Sequence, residues 1–332
     1  MKPDLDPYSE FAAVYDRWQW LHTAPFSTAM IVRMEQALSE WGVPERSLLD
    51  LACGTGTLAR WWSEEHPDWS VLGVDRSPAM VERARSGAGH RPRAGVGRPG
   101  HERPSGAPSS GTRSGSLRSG ARSGGPRSGT RSQSIDRSSS TPSAPDFEVQ
   151  DIGRLSLDRR FGMATCFFDS LNHITRRQEL SRLLASARKA LHPKGLFLFD
   201  LIDEDSFEEI FSSPWVVQDD DLYVGSETQH FFRGGAEYGR VRYTFFDRSP
   251  AAGPTGSGSP SRSSGSPGPA APEHAPRWHR YDAEILERCW RREEFDPMVA
   301  DAGLEIIHVQ LIDPEEQEEV FVPRRLYVCS PE

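Results

Sequence analysis

The stretch Ser47–Trp62, SLLDLACGTGTLARWW, reads as an apolar strand that runs into glycines and then into a helix. It contains Gly54-x-Gly56-x-x-Ala59, close to the glycine fingerprint by which a strand–turn–helix unit holds a dinucleotide. An acid, Asp50, stands four residues before the first of these glycines. A carboxylate at the end of that strand repels a pyrophosphate, so the turn asks for a ligand of different charge.

The pattern around this unit sets the fold class. A helical repeat of apolar residues over 11–40 precedes it, and Ser70–Asp75 (SVLGVD) makes a second strand after it. Ser77-Pro78 has the form of an N-cap followed by proline at the first helical position, opening the helix AMVERAR. Asp146–Asp151 and Phe161–Asp169 are the third and fourth strands. The amphipathic helix ELSRLLASARKAL, closed by HPKG, leads into the fifth, LFLFDLI. Apolar strands alternating with helices predict a parallel sheet covered on both faces, an α/β doubly wound architecture. After Asp203 the aromatic pieces WVVQ, TQHFFR, GRVRYTFFDR and WHRYDAEILERCW predict an antiparallel β excursion. A helix, RREEFDPMVADAG, and two last strands, LEIIHVQLI and EVFVPRRLYVCS, return to the sheet.

Two tracts stand apart. Residues 86–145 are almost entirely Arg, Ser, Gly and Pro, and residues 249–276 are Ser, Gly, Pro and Ala. Neither holds enough apolar surface to offset chain entropy, so both are expected to be disordered. They explain why only 36% of the 332 residues are hydrophobic. Without them roughly 240 residues remain, an ordinary size for one domain. The first tract has ten arginines against Glu102 and Asp136, a charge of +8, so with a net charge of −9 the rest of the chain carries −17. An acidic body argues against a specific nucleic-acid grip by the folded domain. The start MKPDLDPYSE has neither a basic end nor an apolar run, and no segment approaches the ~20 apolar residues of a membrane span. The four cysteines form no CxxC and the ten histidines no metal-ligand spacing, so free thiols, a cytoplasmic location and no metal are expected.

In a doubly wound sheet, ligands sit outside the carboxyl ends of the strands. Asp50, Asp75, Asp151 and Asp169 fall at four such ends. Singly, each can be a cap for the next turn; together they point to a shared ligand. Asp75 follows Gly56 by 19 residues, the place of an acid that holds two ribose hydroxyls. Ribose is common to NAD and to S-adenosylmethionine. Asp50 separates them, because S-adenosylmethionine has no phosphate and carries an ammonium and a sulfonium.

At this point a family resemblance can be stated. LLDLACGTGTLA, VLGVDRSPAMVERAR, VQDIGRL, CFFDSLNHI and ALHPKGLFLFDLI resemble, in order, the motifs of class I S-adenosylmethionine-dependent methyltransferases, most closely the small-molecule branch. The resemblance covers Phe11–Asp203 without the insert, and the tail from Arg291 fits the same fold. A glycine motif alone is shared by many nucleotide folds; five motifs in one order are far more specific. The chain departs from the pattern at Ala52, where glycine is frequent. The resemblance implies a Rossmann-like seven-stranded sheet of order 3-2-1-4-5-7-6 with the last strand antiparallel. It implies a methyltransferase domain built from 1–85, 146–203 and 291–332, with a β lid over 204–248 and 277–290. S-adenosylmethionine is the implied cofactor. Asp50 would bind its methionine amino group, Gly54 and Gly56 would line it, and Asp75 would hold its ribose. Arg76, Met80, Asp151 and Ile152 would surround the adenine, and Phe167 would lie under the sulfonium. Cys53, within the same turn, reads as a small apolar wall and not as a nucleophile.

The acceptor end is less strongly marked. FDSLNHI lacks the Asn/Asp-Pro-Pro-aromatic motif of enzymes that methylate amide or base nitrogens, which points to a small organic acceptor. Asp169, Asn172 and His173 lie where the acceptor is expected. His173 is the candidate base, and Tyr15 resembles the N-terminal aromatic that closes over the cofactor. A capping role for His173 and a helix-core role for Tyr15 are the structural alternatives. Trp215, Tyr223, His230, Tyr243 and Trp290 are candidate acceptor walls or the core of the lid itself; Trp215 and Tyr243 lead among them. The leading function is methyl transfer to nitrogen or oxygen by in-line displacement. A cofactor-binding sensor without turnover, or less favourably an NAD-linked oxidoreductase, remains open at this point.

Overall fold

Strand β1 (Ser47–Leu51) is buried along its whole length, as a strand between two helical layers must be. The computed structural model describes residues 8–9, 12–87, 144–248, 278–312 and 322–332. Apart from Ser86, Gly87, Ala144 and Pro145, the basic tract falls outside the described residues, and so does the whole of 249–276.

The elements that follow are α1 (Ala12–Trp41), which precedes β1, then α2 (Thr57–Glu65), β2 (Ser70–Asp75), α3 (Pro78–Ser86), β3 (Asp146–Val149), β4 (Phe161–Cys166), α4 (Arg177–Ala190) and β5 (Leu191–Ile202). After them come α5 (Phe207–Ser212), β6 (Val216–Gln218), β7 (Leu222–Arg233), β8 (Ala236–Asp247), β9 (His279–Arg288), α6 (Arg292–Asp301), β10 (Leu304–Ile312) and β11 (Arg324–Pro331). The main sheet has the order β3-β2-β1-β4-β5-β11-β10. β11 is antiparallel to both neighbours, so the implied order and the reversed last strand both hold. Among the described residues no helix is long and apolar enough to cross a membrane.

Alternation along β1 divides the core. Leu48 faces the layer of α1, α2 and α3, together with Met34, Trp62 and Val81. Leu49 and Leu51 face α4 and α6, together with Leu183, Leu184, Phe295 and Tyr327. Leu180, Leu183, Leu184 and Ala187 recur at helical spacing on the buried stripe of α4, each leucine contributing about 1.5–3 kcal/mol by burial.

Several strands stop earlier than their apolar runs. β1 ends at Leu51 because Ala52 turns into the left-handed region, φ 55°. The small residue is tolerated there, but an L side chain in this region costs about 1–2 kcal/mol. Ala52→Gly is expected to raise stability by about 0.5–1 kcal/mol after the extra chain entropy of glycine is counted, a gain readable in urea unfolding. A destabilised variant would mean that the turn does not need this conformation. β3 ends at Val149 and not at Asp151, whose carboxylate instead accepts from Gly153 N at 2.8 Å and caps a 3-10 turn, Ile152–Arg154. β4 ends at Cys166 and not at Asp169, because Phe168 and Asp169 are both left-handed, φ 61° and 52°. β5 begins at Leu191, five residues before its most apolar run.

The excursion is an antiparallel sheet of order β6-β7-β8-β9, with α5 added to it as an element that the sequence did not show. Its inner face carries Leu222, Val224, Val241, Phe245, Ala283 and Ile285 over Phe207 and Phe211. β8 and β9 pair directly, and the second tract lies in their connection. Asn172 ties this sheet to the main one. Its Nδ2 donates to Arg288 O at 2.9 Å, and its Oδ1 accepts from Ile202 N at 3.1 Å.

Candidate active site

The glycine turn is built around Asp75. Gly54 N donates to one of its carboxylate oxygens at 2.9 Å, and Ser77 N to the other at 2.8 Å. The Ser77 hydroxyl then accepts from Met80 N and opens α3. Asp75 thus fixes the strand end, the turn and the next helix relative to one another, and it still lines the cavity that they enclose. Gly56 does not line that cavity. It is left-handed, φ 77°, and a Cβ there would stand 2.5 Å from the Phe147 ring, so its lack of a side chain serves helix–strand packing.

The cavity has a volume of about 430 Å³, within the range of small-molecule and cofactor sites. Asp50, Cys53, Gly54, Asp75, Arg76, Met80, Asp151, Ile152 and Phe167 line it, and so do Tyr8, Tyr15, Gln19 and His173. Nearly every residue inferred for the cofactor therefore lines this one cavity. Burial pushes the Cys53 thiol well up, which leaves it protonated and poor as a nucleophile.

Asp50 is the most unusual group on this lining. It is 3% exposed; its Oδ1 accepts from Thr165 Oγ1 at 2.9 Å, and its Oδ2 is buried with no partner. Burial pushes its carboxyl up to about 7, against the Thr165 hydrogen bond and with the help of Asp75. An orphaned buried carboxylate oxygen on a cavity wall is a cost unless a cation or donor arrives from the cavity. The donor set fits S-adenosylmethionine on this ground: a carboxylate for an ammonium, a second for hydroxyls, and no cluster of cations for phosphates on the glycine turn.

On the same lining, His173 Nε2 and the Tyr8 hydroxyl are 3.2 Å apart. Burial holds the imidazole below its ordinary pKa, so it is neutral and able to take a proton. The Tyr15 hydroxyl is raised far above the usual phenol range by burial and by Asp169, Asp75 and Asp16. It therefore stays protonated, on the lining of the cavity. Asp16, one residue on, bonds the Thr55 hydroxyl and pairs with Arg83 at 3.5 Å, which holds α1 against the glycine turn.

The inferred acceptor residues divide. Asp169 stands behind His173 and pairs with Arg324 at 3.1 Å. Asn172 is fully buried and spent on the two backbone bonds of the lid, so it is not a cavity residue. Trp215 and Tyr243 meet at a tilt of 50°, ring centroids 5.6 Å apart, within the lid core and do not line the cavity. His230 bonds Glu237 at 2.9 Å, Trp290 donates to Ile174 O at 3.1 Å, and Tyr223 sits exposed on the lid. Of the two roles open to these aromatics, Trp215 and Tyr243 take that of lid core; composition alone does not tell the two faces of a strand apart.

Sequence reading missed Tyr8, Glu287 and Arg324. Glu287 is 4% exposed, and a side-chain ligand atom of Asp169, His173 and Glu287 lies within 4.8 Å of the others. A signal for it existed: Ala283, Ile285 and Glu287 share the buried face of β9, and an acid on an apolar strand face is out of pattern.

The methyltransferase-domain family model matches residues 29–309. The fold is similar to an S-adenosylmethionine-dependent methyltransferase from Clostridium acetobutylicum ATCC 824, at 19% identity and a TM-score of 0.59 over 98% of each chain. It is also similar to DesVI of Streptomyces venezuelae, at 19% identity and a TM-score of 0.56 over 97% of this chain and 98% of that one. A third similar structure, an amino pentose methyltransferase from Micromonospora echinaspora solved with S-adenosylmethionine bound, has 16% identity and a TM-score of 0.52, covering 97% of this chain and 95% of that one. No curated protein matches the chain. With the sheet order, the reversed last strand and the acids at the strand ends already in place, the family match is decisive: the chain belongs to the methyltransferase-domain family and has the fold of the S-adenosylmethionine-dependent enzymes.

Proposed function

We propose that this protein transfers the methyl group of S-adenosylmethionine to a nitrogen or oxygen atom of a small organic acceptor. The observation that carries the reading is the unpartnered Asp50 oxygen on the cavity wall beside Asp75. Asp50 would hold the methionine ammonium, and Asp75 the ribose hydroxyls. Arg76, Met80, Asp151 and Ile152 would enclose the adenine, and Gly54, Cys53 and Phe167 the methionine and sulfonium side. When bound, the cofactor supplies an electrophilic methyl group open to in-line attack. Much of the acceleration then comes from positioning, which is the work of the walls. The neutral imidazole of His173, hydrogen-bonded to Tyr8, would take the acceptor proton, and Tyr15, on the same cavity, would close over the cofactor.

Asp75→Ala is expected to weaken S-adenosylmethionine binding at least about tenfold, since a bridging carboxylate makes two charge-assisted hydrogen bonds. Isothermal titration with S-adenosylmethionine, S-adenosylhomocysteine and NAD measures this, with NAD as the non-binding control. Unchanged affinity in the variant removes Asp75 from the cofactor site. His173→Ala is expected to lower turnover by about 10²-fold or more while cofactor affinity stays within about twofold. Full turnover in that variant excludes His173 as the base.

A further inference from the structure

Glu287 is the one acid of the lid that points into the body. It is 4% exposed, its Oε2 has no hydrogen-bond partner, and one of its oxygens lies within 4.8 Å of a carboxylate oxygen of Asp169 and a ring nitrogen of His173. Behind this contact Arg324 of β11 pairs with Asp169 at 3.1 Å and with Asp200 of β5 at 2.6 Å. One guanidinium thus stands against three carboxyl groups. Two carboxylate anions in contact repel each other and cannot hydrogen-bond; one proton between them turns the same contact into a bond, and that proton belongs to the pair. Burial, the charge of Asp169 and the bond between the two side chains raise the Glu287 carboxyl well above its usual range, against the pull of Arg324.

The contact lies where the lid meets the body. Arg288, next along β9, donates from its backbone N to Asn172 O at 2.8 Å, and Asn172 Nδ2 donates to Arg288 O at 2.9 Å. Asn172 is followed by His173, which lines the cavity. A force that parts Glu287 from Asp169 therefore acts one residue from the bonds that seat β9. The other groups around the pair stay fixed as the solution turns alkaline. His173 is held below its ordinary 6.5 by burial, Arg76 and Arg324, against Asp169, and is already neutral. Tyr8, Tyr15 of α1 and Tyr243 of β8 are raised by burial and by these acids, so their hydroxyls keep their protons. Asp200 is raised by burial and drawn back by Arg324. The Arg288 guanidinium is engaged elsewhere, with Glu294 at 2.7 Å and over the Trp290 ring.

We propose that one proton held between Glu287 and Asp169 is a pH-sensitive latch of the lid: while it is held, β9 seats on the loop after β4, and its loss to solvent in alkaline solution lifts β9 from that loop and opens the His173 side of the cavity. The latch needs neither cofactor nor acceptor and stands apart from the methyl-transfer reading. Its sign follows from proton linkage. Glu287 has its ordinary value of 4.5 in the unfolded chain and binds its proton more tightly in the fold, so the seat is firmest in acid and weakens as pH rises through the folded value.

The test uses the full chain without cofactor, over a series from pH 6 to pH 9. The amide of Arg288 reports the seat, because its hydrogen bond to Asn172 O crosses from lid to body. Its protection from hydrogen exchange, corrected for the intrinsic rate, is expected to fall about tenfold or more across the series. In Glu287→Gln the amide keeps a bond to Asp169 and has no proton to lose, so the fall is expected to shrink to about twofold or less. Asp50 titrates in the same range in both proteins, and the comparison removes its effect. Infrared spectra give a reading without the Glu287 variant: in an Asp50→Asn background, the band of a protonated carboxyl is expected to disappear with the same midpoint as the loss of Arg288 protection. Unchanged protection of Arg288, an equal fall in Glu287→Gln, or a carboxyl band that persists or disappears at a different midpoint overturns the proposal. If Glu287→Gln does not fold, the agreement or disagreement of the two midpoints decides alone.

Discussion

Asp50→Asn is expected to make the cofactor-free protein more stable and the cofactor site far weaker. The wild-type carboxyl ionises near its ordinary value of 3.8 in the unfolded chain and at about 7 in the fold. Between those values the folded state binds more protons than the unfolded state, so stability falls as pH rises through this window and levels off above it. The difference corresponds to roughly 4 kcal/mol at pH 8, an upper figure because asparagine is also costly to bury. The Asp50→Asn variant lacks this loss, and its amide oxygen can still accept the Thr165 hydrogen bond. A rise of about 4 °C or more in melting temperature at pH 8 is expected, shrinking toward pH 6. Cofactor binding runs the other way. Removing a buried carboxylate that meets an ammonium costs about 3 kcal/mol, a loss near 100-fold in affinity. In the wild type the same proton competes with the cofactor, so affinity is expected to be about tenfold weaker at pH 6 than at pH 8. Scanning calorimetry of the cofactor-free protein and titration at the two pH values measure both arms. Destabilisation by Asp50→Asn, or unchanged affinity, would overturn the account of Asp50.

Arg324→Ala is expected to be the most damaging single change to stability. Arg324 is 7% exposed and is the guanidinium to which both Asp169 and Asp200 are paired. Its removal leaves the buried Asp200 and the half-buried Asp169 without that counter-charge, and breaking a buried pair from one side costs about 3–5 kcal/mol. Asp200 has no relief to offer, since its Oδ1 is already buried without a partner. Arg324→Lys should recover only part of the loss, because a compact ammonium does not reproduce the planar group that reaches two acids. Urea unfolding gives the comparison. A loss below about 1 kcal/mol in the alanine variant would mean that Asp169 and Asp200 are neutralised by protonation instead.

The main sheet and the cofactor wall were legible in the linear chain for one physical reason. Each strand end carries its acid a fixed few residues from an apolar run, and in a doubly wound sheet those ends converge without further information. Asp50, Asp75 and Asp151 are therefore local marks that converge on one cavity, which all three line. Ser77-Pro78 is similarly local, since a cap and its helix are contiguous.

The acceptor end was not legible in this way. Tyr8 and His173 meet across 165 positions, Asp169 and Arg324 across 155, and neither pair belongs to a motif. Trp215 and Tyr243 have the composition of a ligand wall but face their own core, because a one-residue change of face decides between wall and interior. Asn172 stands at an expected site position and is consumed by backbone bonds to Arg288 of β9 and Ile202 of β5, which only the tertiary fold brings to it. The apolar pattern, the glycine turn and the strand-end acids determined the fold and pointed to one cavity as the candidate cofactor site. The folding of the lid onto the end of β4 decided which buried charges face each other, because those pairings depend on register between strands that the sequence holds far apart.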